Sequence, residues 1–216
     1  MINTYITQQI NTRYRVNTLK LSSVHEDDAS GSYTYAHYLK WDLVARAELI
    51  RGKRYKMNGT ASLHQRVSRE INWELYNYLA NKPYELFAAP FDVRLCGKSD
   101  SDQEILTVVQ PDLCIIGDPC KVDEKGCLGA PDIIIEILSA GHMKHDLQVK
   151  YKLYQEFKVP EYWIINPFKS SLLKYSLKKN GLYDAGQLYT MVDVFKSDLL
   201  PGFSLNLQQI FSRVKH

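Results

Sequence analysis

The sequence lacks several features that would place it in a specialised class of protein. No apolar run approaches the roughly 20 residues that cross a bilayer, and the first residues, 1–16, lack the basic-then-apolar order of a secretion signal. The four cysteines form no CxxC pair and have no partnering histidine spacing, which argues against a zinc site or a disulfide framework. No repeat or low-complexity tract is present. These absences predict a cytoplasmic globular protein with no membrane partner and with reduced thiols.

Size and composition predict one folded unit. A chain of 216 residues with 45% hydrophobic residues is long enough to bury one sizeable core. The first 33 residues are polar and aperiodic, apart from scattered tyrosines, and helical spacing begins near Thr34. We therefore expect an N-terminal extension over residues 1–33 and a single domain over residues 34–216.

Charge is distributed unevenly although the net charge is only +3. Residues 100–136 hold nine acidic side chains against two lysines, and residues 144–179 hold eight lysines against three acidic side chains. An acidic centre followed by a basic segment suits a metal site beside a phosphate-binding surface. A solvated lysine face is the commoner explanation of such a run, so the pattern alone leaves both readings open.

The periodicity of apolar residues predicts alternating helices and strands. Ser62 is a candidate helix cap, and Val67, Ile71 and Leu75 recur at helical spacing until Pro83, with His64 on the same stripe. Strands are predicted on both sides of the turn at Gly52 and over the segments 85–95, 104–117, 131–138 and 162–166. A further helix is predicted over residues 146–158, and residues 172–192 resemble a peripheral hairpin.

The segment 131–138, PDIIIEIL, is the most informative stretch of the chain. It is too short for a typical helix and too rich in isoleucine for a loop, so it predicts a strand buried on both faces. Alternation places Asp132, Ile134 and Glu136 on one face of that strand. Burying an ionised carboxylate costs several kcal/mol unless it is paired, hydrogen-bonded or bound to a metal. Glu136 therefore needs a partner elsewhere in the chain.

Three segments together resemble a known family. Pro111-Asp112, Glu136 and Lys150 resemble the PD-(D/E)xK nuclease pattern, and the chain is similar to the Uma-two family of restriction-endonuclease-like proteins. The similarity is carried by the segments 129–139 (GAPDIIIEILS), 146–150 (Asp-x-x-x-Lys) and 159–167 (VPEYWIINP), with further matches at 48–52, His64 and 201–205, and it spans roughly residues 34–211. The combination is specific, whereas any single segment is not.

The sequence departs from these patterns at two places. The nuclease pattern expects lysine two residues after the glutamate, where this chain has Leu138, so the resemblance implies that Lys150 on the following helix takes that role. The family's Ser-Pro-Ser-Thr-like loop is replaced by Ala140-Gly141-His142.

The resemblance implies a fold, a reaction and a set of site residues. The expected fold is α/β, a restriction-endonuclease-like central mixed β-sheet flanked by helices. The expected activity is metal-dependent hydrolysis of DNA phosphodiester bonds, with Asp112 and Glu136 as ligands of Mg²⁺ or Mn²⁺ and Lys150 as the residue that stabilises the transition state or orients water. Cutting both strands of a duplex would favour a homodimer. Supporting roles are expected for Glu48, His64, Asp132 and Tyr154.

Most of these residues also have a structural explanation, and Glu48 is an ordinary strand charge unless it points inward. In this explanation, Asp112 closes a turn after proline, Lys150 pairs with Asp146 one helical turn away, and Glu136 neutralises a buried arginine, and none of them has a role in catalysis. Asp132 would only begin a strand, and a histidine such as His64 is more often part of the core than a ligand. At the level of function, the alternatives are a catalytically inactive nucleic-acid-binding or interaction module on the same fold, and a shared scaffold with an unrelated ligand.

Overall fold

The computed structural model describes residues 32–41, 46–57, 59, 61–97, 99–139 and 146–214, without the side chains of residues 146 and 147. Most of the predicted N-terminal extension, the loop at 140–142 and the side chain of Asp146 lie outside the described residues. The helices are α1 (Tyr35–Tyr38), α2 (Ser62–Leu79), a 3₁₀ turn (Pro119–Lys121), a π-helical turn (Asp146–Lys150) that continues into α3 (Tyr151–Glu156), and α4 (Leu207–Arg213). None of the helices in these ranges is long and apolar enough to cross a lipid bilayer.

In the described part of the chain, fourteen strands form three sheets. In chain order they are β1 (Ala47–Ile50), β2 (Lys53–Lys56), β3 (Glu85–Ala88), β4 (Val93–Arg94), β5 (Val108–Val109), β6 (Leu113–Ile116), β7 (Val122–Asp123), β8 (Gly126–Leu128), β9 (Ile133–Ile137), β10 (Glu161–Asn166), β11 (Ser171–Ser176), β12 (Gln187–Tyr189), β13 (Val194–Lys196) and β14 (Ser204–Asn206). The central sheet has the order β12-β11-β10-β9-β6-β3, and a second sheet has the order β2-β1-β5-β4-β8-β7. Strands β13 and β14 form a separate pair.

The central sheet is mixed, which confirms the predicted fold class. Strands β9 and β10 are parallel, as expected for strands joined through a helix, and the other neighbours in this sheet are antiparallel. Helix α2 covers one face of the sheet because Val67, Ile71 and Leu75 form one apolar stripe that packs against Ile133 and Ile135. The helix begins at Ser62 with Ala61 as its N-cap, so the prediction that Ser62 caps the helix is wrong by one residue.

Two predicted strands are each divided between the two sheets. The segment 85–95 forms β3 in the central sheet and then β4 in the second sheet. The segment 104–117 forms β5 in the second sheet and then β6 in the central sheet. Each division lies at a proline, Pro90 or Pro111, which has no N–H to donate to a ladder. The chain therefore changes sheets immediately before Asp112.

The two sheets and α3 enclose a shared apolar layer. Ile134 and Leu138 from β9 and its C-terminal extension pack there with Ile50 of β1, Val93 of β4 and Tyr154 of α3. The alternate residues of β9 pack on the α2 side instead, which confirms the predicted alternation and the burial of both faces. Glu136 projects into the layer between the sheets.

Candidate active site

The carboxylate of Glu136 is buried together with a lysine. Lys150 Nζ donates a hydrogen bond of 2.8 Å to Glu136 Oε1 and lies 3.1 Å from Glu48 Oε1. The three side chains are at most 5% exposed. Burial of this kind is expensive for isolated charges, and the mutual pairing offsets that expense. When both glutamates are ionised, one ammonium faces two carboxylates, and the group keeps one negative charge in excess.

Three different elements bring these side chains together. Glu48 lies on β1 of the second sheet, Glu136 lies on β9 of the central sheet, and Lys150 ends the π-helical turn that leads into α3. π-Helical turns are rare and frequently occur at functional sites. We refer to Glu48, Glu136 and Lys150 as the buried triad.

Neighbouring groups fix the positions of both glutamates. Tyr154 lies one helical turn after Lys150 and donates a hydrogen bond of 2.7 Å to Glu136 Oε1. Burial raises the pKa of the Tyr154 hydroxyl well above its usual value, and the nearby charges of Glu136 and Glu48 raise it further. The backbone N–H of Gln110 donates to Glu48 Oε1 at 2.9 Å. Tyr154 is therefore a neutral donor over the physiological pH range.

Asp112 lies beside the triad at the end of the neighbouring strand. Leu113 pairs with Ile135 across β6 and β9, and one further step of this register places Asp112 opposite Glu136. Asp112 Oδ2 accepts a hydrogen bond of 2.8 Å from the backbone N–H of Ile137, which holds this carboxylate against the end of β9.

His64 makes the second contact to Asp112. Its Nε2 atom lies 3.0 Å from Asp112 Oδ2, and the imidazole is buried at the start of α2. Its Nδ1 atom is also buried and has no hydrogen-bond partner among the described residues. The dyad links the helix on one face of the central sheet to the carboxylate at the sheet edge.

A cleft opens beside this dyad. It has a volume of about 400 Å³, and its walls come from α2, from the turn after β3 and from the start of the second sheet. Asp112 and His64 line this cleft together with Arg46, Arg69 and Trp73. A solvent-accessible cleft therefore reaches one of the two predicted metal ligands.

The donor atoms suit a hard divalent cation. Within the described ranges, no three side chains of Asp, Glu, His or Cys converge on one ion position. Mg²⁺, however, is commonly bound through only one or two carboxylates, with substrate phosphates and water completing the coordination shell. Asp112, beside the end of β9, and Glu136, on β9, are two carboxylates of the kind that could serve such an ion.

Comparison with known protein families matches residues 35–208 to the model of Uma2, described as "Putative restriction endonuclease". The chain belongs to the Uma2 family. Comparison with curated proteins gives no significant match.

A solved structure shares the Uma2 chain's fold. It is described as a "putative nuclease belonging to DUF820" from Anabaena variabilis ATCC 29413. The two structures align with a TM-score of 0.67 and 16% sequence identity, over 84% of this chain and 98% of the other. At this identity the likeness is one of fold.

The Uma2 structure brings most of the predicted site residues together. Glu48, Glu136, Lys150 and Tyr154 form one contact network, and Asp112 with His64 forms a second network beside it. Asp132 is separate from both: its carboxylate accepts the backbone N–H of Gly117 at 2.7 Å, and four residues of strand place it about 13 Å along β9 from Glu136. This position favours the interpretation of Asp132 as a strand-start residue.

Two features of the Uma2 site were missed from the sequence. Gln110 holds Glu48 through its backbone and Arg46 through its side chain, with Arg46 Nε donating at 2.8 Å to Gln110 Oε1. The exposed aromatic residues Trp73 and Tyr76 line the cleft on α2. The sequence did contain a signal for the exposed rings. Trp73 and Tyr76 fall outside the apolar stripe predicted for the helix that carries them, so the pattern places both rings away from the core.

Proposed function

We propose that this protein is a metal-dependent endonuclease that hydrolyses phosphodiester bonds in DNA. The observation that carries the proposal is the buried ammonium of Lys150 between Glu136 and Glu48, with Asp112 opposite Glu136 on the next strand. Two hard-oxygen ligands beside a fixed cation are the groups that phosphodiester hydrolysis requires. The family description and the shared nuclease fold support the same reaction class.

Asp112 and Glu136 would hold Mg²⁺ or Mn²⁺, which when bound supplies an acidified water and offsets the negative charge of the phosphate. The ammonium of Lys150 stabilises the charge that develops on the phosphate oxygens, or orients the attacking water. The electrostatic effect of this ammonium on the phosphate is strong because the surrounding layer is apolar and because two glutamates already fix the position of the ammonium.

Other residues of the chain keep these groups in place. Tyr154 holds Glu136 through its hydroxyl, and the N–H of Gln110 holds Glu48. His64 and the N–H of Ile137 both contact the same oxygen of Asp112. A cytoplasmic location and a homodimer, which would cut both strands of a duplex, remain predictions that accompany this function.

A cleavage assay on plasmid and on single-stranded DNA, with Mg²⁺ or Mn²⁺, tests the proposal. Glu136→Gln and Asp112→Asn keep the shape of each side chain and remove its charge, and we expect each to lower the rate by on the order of 100-fold or more. Glu124→Gln changes an exposed carboxylate and is the matched control, expected to leave the rate unchanged.

The same assay separates the enzyme from an inactive module. Metal-dependent cleavage by the wild type that Glu136→Gln abolishes supports the nuclease. Absence of metal-dependent cleavage on all DNA substrates, or full activity in Glu136→Gln, overturns the mechanism and favours the nucleic-acid-binding or interaction module.

A further inference from the structure

Helix α2 carries two stripes of side chains with different exposure. The buried stripe, Val67, Ile71 and Leu75, packs on the central sheet. A second stripe is formed by Arg69, Trp73 and Tyr76, whose spacing of four and three residues places them on one face of the helix. Trp73 is 60% exposed and Tyr76 is 64% exposed. Two large neighbouring rings left in solvent indicate a binding surface rather than a core.

The second stripe continues into the cleft of the candidate active site. Trp73, Tyr76, Arg69 and Arg46 line the same cleft as His64 and Asp112. A ligand lying across the rings would therefore extend towards the carboxylate of Asp112.

Two arginines on this cleft supply N–H donors that an anion can accept. Arg69 pairs with Glu70 through Nε and Nη2, and Arg46 binds Gln110 through Nε. A guanidinium has five N–H donors, and these contacts engage one of them in Arg46 and two in Arg69. Guanidinium groups are well suited to phosphate because their planar donors match its oxygens.

We propose that this surface binds single-stranded DNA, with bases stacked on Trp73 and Tyr76 and phosphates held by Arg46 and Arg69. Aromatic side chains interleaved with cations are the usual platform for unpaired nucleotides, since every base has a face on which a ring can stack. Bases inside a duplex stack on one another and cannot offer those faces. The inference rests on the proposed nuclease function and specifies the form of substrate that enters the cleft.

Binding of a fluorescent oligonucleotide in EDTA tests this proposal without any cleavage step. Stacking of a base on one aromatic ring contributes to the binding free energy. Trp73→Ala or Tyr76→Ala should therefore weaken the binding of single-stranded DNA by about fivefold to a hundredfold. Trp73→Phe keeps a ring and should retain most of the affinity. Phe168→Ala, at a position 55% exposed just after β10, is the matched control and should bind as the wild type does.

Intrinsic fluorescence gives a second measurement. Trp73 is exposed whereas Trp163 is fully buried, so stacking of a base should quench an emission component that Trp73→Phe removes. Single-strand binding that depends on both rings supports the proposal, even if the cleavage assay shows no activity. Four results would overturn it: no binding of single-stranded DNA, equal affinity of both alanine variants and the wild type, equal or tighter binding of the matching duplex, or a clear preference for RNA of the same sequence.

Discussion

Lys150 donates a hydrogen bond of 2.8 Å to Glu136, and both side chains are at most 5% exposed. The pair joins the π-helical turn to the central sheet across an apolar layer. Replacing a buried ion pair by apolar residues is often neutral or stabilising, whereas removing one partner leaves an uncompensated charge. A gain in stability therefore does not explain why one lysine is shared between two glutamates. A catalytic role of the fixed ammonium, as in the proposed nuclease reaction, explains the arrangement better.

Lys150→Met is expected to lower the free energy of unfolding by about 3–5 kcal/mol, because it leaves Glu48 and Glu136 buried without their cation. A role of Lys150 in the transition state, taken alone, predicts that the variant keeps its fold, and the burial of the side chain changes that expectation. Urea unfolding measures the difference. Lys152→Met alters an exposed lysine two residues further on and should change stability by no more than about 0.5 kcal/mol. Equal effects of the two variants would contradict the role of the triad.

Divalent metal is expected to raise the melting temperature. A ligand that binds only the folded state stabilises it by RT ln(1 + [L]/Kd), about 2.7 kcal/mol at a hundredfold excess over Kd. Mg²⁺ or Mn²⁺ should produce this shift, and sodium at matched ionic strength should not. Glu136→Gln should lose the shift whereas Glu124→Gln, in an exposed loop, should keep it. A shift that survives in Glu136→Gln would place the metal elsewhere.

The sequence predicted the part of the site that depends on local pattern. Alternation in the segment 131–138 predicted that Glu136 would be buried with an inward side chain, and the structure shows this. Family resemblance pointed to Lys150 as its companion, and the two side chains are in contact. The mixed central sheet was implied by the same family resemblance, and the parallel pair β9–β10 among antiparallel neighbours confirms it.

Other features depend on contacts between distant parts of the chain. Glu48 is contacted by the backbone of Gln110, 62 residues away, and no periodicity of β1 indicates this contact. Two predicted strands are divided between the two sheets at Pro90 and Pro111. A proline interrupts a ladder only where a neighbouring strand would accept its missing N–H, and the sequence does not show which strands are neighbours. The cleft is formed by α2 together with segments about 20 and 50 residues distant, so its lining could not be assembled from local pattern alone.

Tyr154 is expected to make the stability of the protein fall in alkaline solution. The folded-state pKa of its hydroxyl is raised well above the unfolded value of about 10. Its contribution is therefore fully present below pH 10 and is lost as the pH rises towards the folded-state pKa, because only the unfolded chain releases the proton. Urea unfolding at pH 8 and pH 11 should show a smaller stability advantage of the wild type over Tyr154→Phe at the higher pH. A constant difference would contradict the assignment.

Glu161 is expected to anchor the C-terminal part of the domain. Its buried carboxylate accepts hydrogen bonds from Trp163 Nε1 at 2.7 Å, from Ser197 Oγ at 2.9 Å and from the backbone N–H groups of Asp198 and Leu199 at 2.7 and 3.2 Å. Glu161→Ala leaves three of these donors without an acceptor, since the N–H of Leu199 also donates to Ser197 Oγ at 3.1 Å, and should cost about 3 kcal/mol or more. Urea unfolding followed by the fluorescence of Trp163 measures this. Glu156→Ala, which removes an exposed carboxylate, should have little effect.

His64 is expected to act on the metal site through Asp112. Its Nε2 atom lies 3.0 Å from Asp112 Oδ2, the same oxygen that accepts the N–H of Ile137, so the imidazole restricts the orientation of this carboxylate. Residues that orient a metal ligand typically contribute 10- to 100-fold to metal affinity or activity, and His64→Ala should weaken Mn²⁺ binding by roughly that factor. Calorimetric titration with Mn²⁺ gives this value independently of cleavage.

The control for His64 is His37, an exposed histidine on α1. His37→Ala removes an imidazole from the chain and should leave Mn²⁺ affinity unchanged, although it removes the capping contacts between His37 and Thr34. His64 contacts Asp112 through Nε2, whereas its Nδ1 atom has no partner in the described residues, so one donor is enough to replace the imidazole. His64→Gln supplies such a donor and should retain more Mn²⁺ affinity than His64→Ala. If His64→Ala binds Mn²⁺ as tightly as the wild type does, the contact with Asp112 serves the packing of α2 and has no part in holding the metal.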